Sequence, residues 1–190
     1  LEGRPLLHYS LSAARAAQAE KIVVIVGHQA NQVKESFPDK DLTFVIQDPQ
    51  LGTGHAVMQA KEVLKGYKGL TVILCGDVPL LKPETILSLV ERHVDAKAVL
   101  TVLTTEPPRP HAYGRIIKNE RGEVLKIVEH RDATEEERKI PEINTGIYCV
   151  DTQFLFEALA QIRNDNQQKE YYLTDIVEIA CRQGLKVQAY

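Results

Sequence analysis

The sequence contains no tryptophan, one methionine and only 6% aromatic residues, so its core must rest on aliphatic side chains. It has three cysteines, Cys75, Cys149 and Cys181. Their number is odd, their spacing wide, and no C-x-x-C pair occurs, which argues against a disulfide scaffold. Buried thiols in a reducing compartment are the expectation, and with them a cytoplasmic chain. Neither sign of charge dominates: 23 Lys and Arg face 26 Asp and Glu, for a net charge of −3. Nothing in that balance suggests a nucleic-acid partner, and no polybasic run suits a membrane surface. No apolar stretch approaches the ~18 residues of a membrane span. Leu1–Pro5 does not read as a signal peptide. There is no G-x-G-x-x-G, no Walker A loop and no G-x-S-x-G, so these motifs lend no support to a nicotinamide, P-loop or serine-nucleophile assignment.

What is present reads as one α/β domain. A chain of 190 residues buries roughly 70% of its unfolded surface, enough for a substantial core. Lys21–Val26, Leu70–Cys75 and Lys97–Thr104 are continuous apolar runs rich in β-branched residues, as expected of strands buried on both faces of a parallel sheet. Leu42–Ile46 predicts a shorter strand. Helical spacing covers Leu6 to about Ala19, Ala56–Leu64 and Pro83–Val94, with Pro83 suited to a first turn. After Pro107 the texture changes. Tyr113–Lys118 and Glu123–Glu129 alternate around the turn Asn119–Gly122, predicting a β-hairpin in a smaller lobe. Ala133–Lys139 reads as one exposed helical turn. Ile143–Val150 is a strand, Gln153–Ile162 and Leu173–Arg182 are helices, and Lys186–Ala189 is a last strand.

Three stretches can carry chemistry. In Cys75-Gly76-Asp77-Val78-Pro79 a buried strand ends in Gly-Asp, and ligands of open α/β sheets bind beyond the carboxyl ends of strands. Asp77 is there either a ligand of a hard cation such as Mg²⁺ or the cap of the next turn. Gln47 to Ala56 follows a strand and opens a helix. Its Gly52-Thr53-Gly54 frees the backbone, and Gln47 offers both a donor and acceptors to a base edge; the alternative is a loop with a threonine cap. His55 is expected on the helix face rather than as a catalyst. In the third stretch, Glu129 and Asn144 are polar residues set in apolar strand sequence and need partners. Sugar hydroxyls would serve, as would a salt bridge for Glu129 and a turn for Asn144. His130, Arg131 and Asp132 read as a solvated cluster.

Six blocks occur in order: Leu51-Gly52-Thr53-Gly54-His55-Ala56, Gly76-Asp77-Val78-Pro79-Leu80, Tyr113-Gly114-Arg115-Ile116, Ile127-Val128-Glu129-His130, Glu142-Ile143-Asn144-Thr145-Gly146 and Glu170-Tyr171-Tyr172-Leu173-Thr174-Asp175. Together they resemble the uridyltransferase domain of the bacterial bifunctional N-acetylglucosamine-1-phosphate uridyltransferase/glucosamine-1-phosphate acetyltransferases, the GlmU family. The resemblance implies a Rossmann-like nucleotidyltransferase domain with a mainly parallel sheet and a small sugar-binding hairpin lobe. It implies transfer of UMP from UTP to N-acetylglucosamine 1-phosphate, giving UDP-N-acetylglucosamine and pyrophosphate for peptidoglycan and lipopolysaccharide precursors. By position, Gln47, Gly52 and Thr53 would hold the uracil, and Cys75, Gly76 and Asp77 would lie along the nucleotide. Asp77 would be the catalytic carboxylate and a Mg²⁺ ligand. Gly114, Glu129 and Asn144 would hold the sugar.

The family's glycine-rich loop strand, with its phosphate-gripping Arg and Lys, its second metal-sharing Asn and its acetyltransferase β-helix are not in these 190 residues. A missing central strand would leave unpaired edges flanking a gap. The chain by itself is therefore expected to be inactive, and a homotrimer is expected only of the full-length protein. The alternatives are a non-catalytic nucleotide-sugar module or a relative acting on another sugar 1-phosphate. A dehydrogenase is disfavoured, because Lys21–Val26 runs into Gly27-His28-Gln29 rather than a glycine fingerprint.

Overall fold

The computed structural model describes residues 3–110 and 112–190. Leu1 and Glu2, part of the segment tested for a leader, and His111 lie outside the described residues. The order of elements is α1 (Leu6–Ala16), β1 (Ile22–Val26), α2 (Ala30–Ser36), β2 (Leu42–Ile46), α3 (Thr53–Met58), β3 (Leu70–Ile73), α4 (Pro83–Ala96), β4 (Leu100–Thr105), β5 (Arg115–Lys118), β6 (Val124–Val128), α5 (Glu135–Arg138), β7 (Ile143–Asp151), α6 (Thr152–Leu159), α7 (Asp175–Arg182) and β8 (Val187–Ala189).

Local chemistry sets many of these limits. Pro83 opens α4, and Lys97, at φ 52°, closes it in the left-handed region. In α5 the Thr134 hydroxyl and the Glu137 carboxylate cap each other's backbone N–H. The Asp151 carboxylate accepts from the Phe154 N–H at the start of α6. Several bounds differ from the sequence expectation by a few residues, and two helices differ by more. Beyond Met58 the chain tightens into i→i+3 bonds, from Gln59 to Ala56 and from Ala60 to Val57, so α3 ends earlier than its apolar spacing implies. The short helix α2 buries no residue, and so carried no apolar stripe to read.

The expected α/β Rossmann-like architecture is present, with a mixed sheet. The parallel ladders are β1·β2 and β4·β8. Strand β7 runs antiparallel to both β3 and β4, so β3, β4 and β8 share one direction with β7 inserted against them. Continuous apolar runs report burial on both faces, not strand direction. Strand β7 shows this: Tyr148 and Val150 enter the core with Leu100, Leu155 and Ile176, while Ile147 and Cys149 pack on the other face with Leu89 of α4. Each such fully buried side chain contributes roughly 1.5–3 kcal/mol. The hairpin β5–β6 is an edge of this sheet rather than a detached lobe, joined to β7 at Arg115 and Ile143.

Among the described residues, β1 and β2 form their own two-stranded sheet. Between it and the six-stranded sheet lies a cavity of about 800 Å³, walled by apolar side chains of β1, β3, α1 and α4 such as Val24, Val72, Leu11 and Ile86. Among the described residues no helix is long and apolar enough to cross a membrane.

Candidate active site

The site begins with a split in the sheet. Strand β4 pairs with one edge of β7 from Ile143 to Val150. The other edge is shared, with β5 at Ile143 and β3 from Tyr148 to Asp151. Asn144 to Ile147 therefore lie between two partners, and the β4 register also shifts beside them, between Val102 and Thr104. Backbone groups exposed by such a break need partners. The Asn144 N–H donates to the Gly114 carbonyl at 2.9 Å, the Gly146 N–H to Asn144 Oδ1 at 2.9 Å, and the Ile147 N–H to Thr145 Oγ1 at 3.4 Å. The Cys75 thiol closes the gap from the β3 side by donating to the Gly146 carbonyl at 3.5 Å. Gly146 has φ +79°, and a Cβ there would stand 2.7 Å from Cys75 Sγ, so both conformation and space require glycine.

This seam brings the third predicted stretch together. Asn144 is buried, and its Nδ2 donates to the Tyr148 hydroxyl at 2.7 Å. The turn-stabilising part of its expected behaviour is therefore real. A Cβ on Gly114 would lie 3.1 Å from Ile127 and 3.5 Å from Glu129 Oε2. Glu129 forms no salt bridge of the kind weighed for it among the described residues; its Oε1 accepts from the Thr174 hydroxyl at 3.2 Å. Burial pushes its carboxyl above the usual range, with the Thr174 bond opposing. A recess of about 250 Å³ adjoins it, lined by Glu129, His130, Arg131 and Gln168. The solvated cluster expected at residues 130–132 needs correction. Arg131 is exposed, but Asp132 accepts from the Tyr172 hydroxyl at 3.0 Å and the Gln167 N–H at 3.1 Å. His130 Nδ1 is buried without a hydrogen bond.

The rim beyond β3 is plainer. Gly76 and Asp77 form an exposed turn. A Cβ on Gly76 would touch only Leu7, at 3.6 Å, so the fold itself does not require glycine there. Cys75 is tied in by the Ser10 hydroxyl, which donates to its carbonyl at 2.8 Å. Burial, and then the Asp77 charge, push its thiol upward, away from nucleophilic use. Asp77 is the hard donor suited to a divalent cation at this rim; among the described residues no group of three or more His, Cys, Asp or Glu assembles to hold one.

The Gln47 loop sits beside the end of β1, its N–H bonded to the Val26 carbonyl at 2.8 Å. Its glycines are explained differently from the sequence reading. Gly52 has φ +106°, and a Cβ would stand 2.8 Å from both Glu170 Cβ and the Tyr171 carbonyl. The Gly54 N–H donates to Tyr171 O at 2.8 Å, the Tyr171 N–H to Leu51 O at 2.8 Å, and the Leu173 N–H to Thr53 Oγ1 at 3.1 Å. The loop is thus stitched to the segment before α7, and Thr53 uses its hydroxyl there. Glycine at 52 is required by that docking whatever else the backbone contacts.

The nucleotidyl transferase family profile covers residues 1–190, the whole chain. The chain belongs to that family. It is similar to bifunctional protein GlmU of Geotalea daltonii, with 51% identity over 181 residues, 95% of this chain and 40% of that protein. To bifunctional protein GlmU of Bacillus licheniformis the identity is 49% over 188 residues, 99% of this chain and 41% of that one. The chain thus spans about two fifths of the length of these relatives. Its fold resembles the UDP-glucose pyrophosphorylase solved in complex with UDP-glucose, with a TM-score of 0.78 at 17% identity, covering 96% of this chain and 76% of that one.

Sequence reasoning assigned no role to Thr174 or Tyr172 and set Asp132 and His55 apart from the site, yet all four border the predicted residues. Thr174, Tyr172 and Asp132 tie the α7 approach to Glu129, and His55 contacts Gln47. Only the Glu170–Asp175 block hinted at the first two; hydrogen bonds spanning 40 or more positions in sequence leave no local pattern.

Proposed function

We propose that this chain is the uridyltransferase part of a longer enzyme that transfers UMP from UTP to N-acetylglucosamine 1-phosphate. The observation that carries the reading is the seam at β7. It joins Cys75, where the rim begins, to Gly146 in the break, so a nucleotide site and a sugar-phosphate site would share one wall. The roughly 50% identity to proteins named GlmU supports the choice of substrates.

In this reading an oxygen of the sugar phosphate attacks the α-phosphorus of UTP in line. A new P–O bond forms, the bond to the β-phosphate breaks, and pyrophosphate leaves with the electron pair. No covalent enzyme intermediate is needed, so positioning and charge compensation supply the rate. Gln47, with the backbone at Gly52 and Thr53, faces the uracil. Cys75 and Gly76 border the nucleotide, with the open face of Gly76 allowing close approach. Gly114, Glu129 and Asn144 receive the sugar hydroxyls and amide. Asp77 would hold Mg²⁺, which when bound offsets charge on the phosphates. Free cysteines among the described residues are in keeping with a cytoplasmic reaction supplying cell-wall precursors. We also infer that these 190 residues alone turn over little, since a lone carboxylate is a poor cation cage.

The test is pyrophosphate release by the full-length protein given Mg²⁺, UTP and N-acetylglucosamine 1-phosphate. Release that stops when the sugar phosphate is omitted supports the reading. A folded protein that binds UDP-N-acetylglucosamine but releases no pyrophosphate overturns it.

A further inference from the structure

Arg115 is 2% exposed and has no part in the reaction scheme above. It opens β5, opposite Val128 of β6 and Ile143 of β7. Side chains alternate along a strand. Ile116, Ile127 and Glu129 therefore share one face, where the two isoleucines join the core and Glu129 meets Thr174. Arg115 and Val128 take the opposite face. Lys126 shares it and reaches Glu137 of α5 in an ion pair at 3.4 Å.

On that rear face the Arg115 guanidinium spans two segments. One terminal nitrogen donates to the Tyr113 carbonyl, and Nε donates at 3.3 Å to the Arg138 carbonyl at the end of α5. Arg138 carries the chain of bonds onward, its own Nε donating to the His130 carbonyl at 3.2 Å. Each end of this chain adjoins a residue of the candidate site. Tyr113 precedes Gly114, whose carbonyl accepts from the Asn144 N–H at 2.9 Å. His130 follows Glu129, whose carbonyl accepts from the N–H groups of Asp132 and Ala133, both at 3.0 Å. On the site face the two segments stand close: a Cβ on Gly114 would lie 3.5 Å from Glu129 Oε2.

A buried guanidinium is costly, and an apolar side chain of similar length would pack there at less cost. What the guanidinium adds is a planar fork with fixed donor directions. Lysine presents a single nitrogen on a flexible stem and does not fix two carbonyls at a set spacing. We propose that Arg115 is a positioning residue: from behind the site it sets the spacing of Gly114 and Glu129, and so the affinity for the sugar phosphate, without touching that substrate. This inference rests on Gly114 and Glu129 receiving the sugar, as proposed above. A misplacement on the order of 1 Å, caused by a change away from the chemistry, costs up to about 10²-fold.

The experiment measures kcat and both KM values by pyrophosphate release from the full-length enzyme, given Mg²⁺, UTP and N-acetylglucosamine 1-phosphate. Arg115→Lys should raise the KM for the sugar phosphate about five- to tenfold, with kcat and the KM for UTP changed less than about twofold. Arg138→Ala replaces an exposed side chain, keeps the carbonyl that Arg115 uses and removes the bond to His130. It should raise the same KM about threefold, and it decides the matter if Arg115→Lys fails to fold. Lys126→Met cuts the neighbouring ion pair on the same face and should leave all three constants within about twofold. A lower melting temperature with all three constants unchanged, equal losses for both substrates, or the same KM effect from Lys126→Met would overturn the proposal. The guanidinium would then only help hold the hairpin together. Glu129→Ala separates the two layers. If it raises the sugar-phosphate KM while Arg115→Lys and Arg138→Ala do not, only the role of Arg115 falls. If it leaves that KM unchanged, Glu129 does not receive the sugar and the site assignment falls with the proposal.

Discussion

On the β6–β7 side of the seam, Glu129 and Asn144 are held by Thr174, Tyr148 and the Gly114 backbone, and most of these groups are out of water. On the β3 rim, Gly76 and Asp77 stand exposed with nothing packed closely over them. The first side is preorganised: its polar groups already have partners, so the sugar of the proposed reaction would meet fixed directions at little ordering cost. The second leaves its carboxylate exposed, as would suit the cation-binding role proposed for Asp77. The difference teaches that burial and hydrogen bonding mark where stability and site coincide, and exposure marks where they separate.

The largest test of that contrast is Asp77→Ala in the full-length protein. Turnover should fall by about 10²-fold or more if, as proposed, the residue acts on charge in the reaction. The melting temperature should stay nearly unchanged, because an exposed substitution costs less than about 0.5 kcal/mol. Parallel loss of fold and activity would make Asp77 a structural cap and erase the contrast. Glu129→Ala should raise the KM for the sugar phosphate on the order of tenfold while leaving that for UTP alone. A change in the UTP constant instead would mean the two sides are not separate.

Gly52→Ala tests the stitched loop. It forces a side chain to φ +106° and against Glu170 and Tyr171, and should cost about 1–3 kcal/mol in urea unfolding. An unchanged midpoint would show that the loop is slack. The smallest effect concerns Asp175. Burial, and then the charges of Glu178 and Glu129, raise its carboxyl from 3.8 to about 6. Its folded value exceeds its unfolded one, so the native state binds the extra proton between these two values. Its contribution to stability is full below pH 3.8 and is lost as pH rises through about 6. Asp175→Asn should therefore change little at pH 4 and raise the melting temperature by about 2–4 °C at pH 8. A gain of equal size at both pH values would contradict that electrostatic origin.

Much of this fold was legible because its signals are local. The β-branched runs marked β1, β3 and β4, Pro83 marked the start of α4, and the Asn119–Gly122 turn marked the hairpin. The candidate residues were legible as polar positions at strand ends and as blocks of family resemblance. Strand direction was not, because a strand buried on both faces reads the same whether its neighbour is parallel or antiparallel; β7 is the case in point. Nor were the contacts of Gly52, Asp132, Thr174 and His55. Each depends on a segment or side chain distant in sequence or on the turn geometry of a loop, and hydrogen bonds closed across 40 to 120 positions follow no period. By itself, the amino-acid order determined which segments are helix or strand, that both sheet faces are apolar, and which residues are chemically able to meet a nucleotide sugar. The tertiary structure alone decided that β7 runs against its neighbours and leaves one edge of Asn144–Ile147 between β5 and β3, because such a break exists only once three separate strands have competed for the two edges of one.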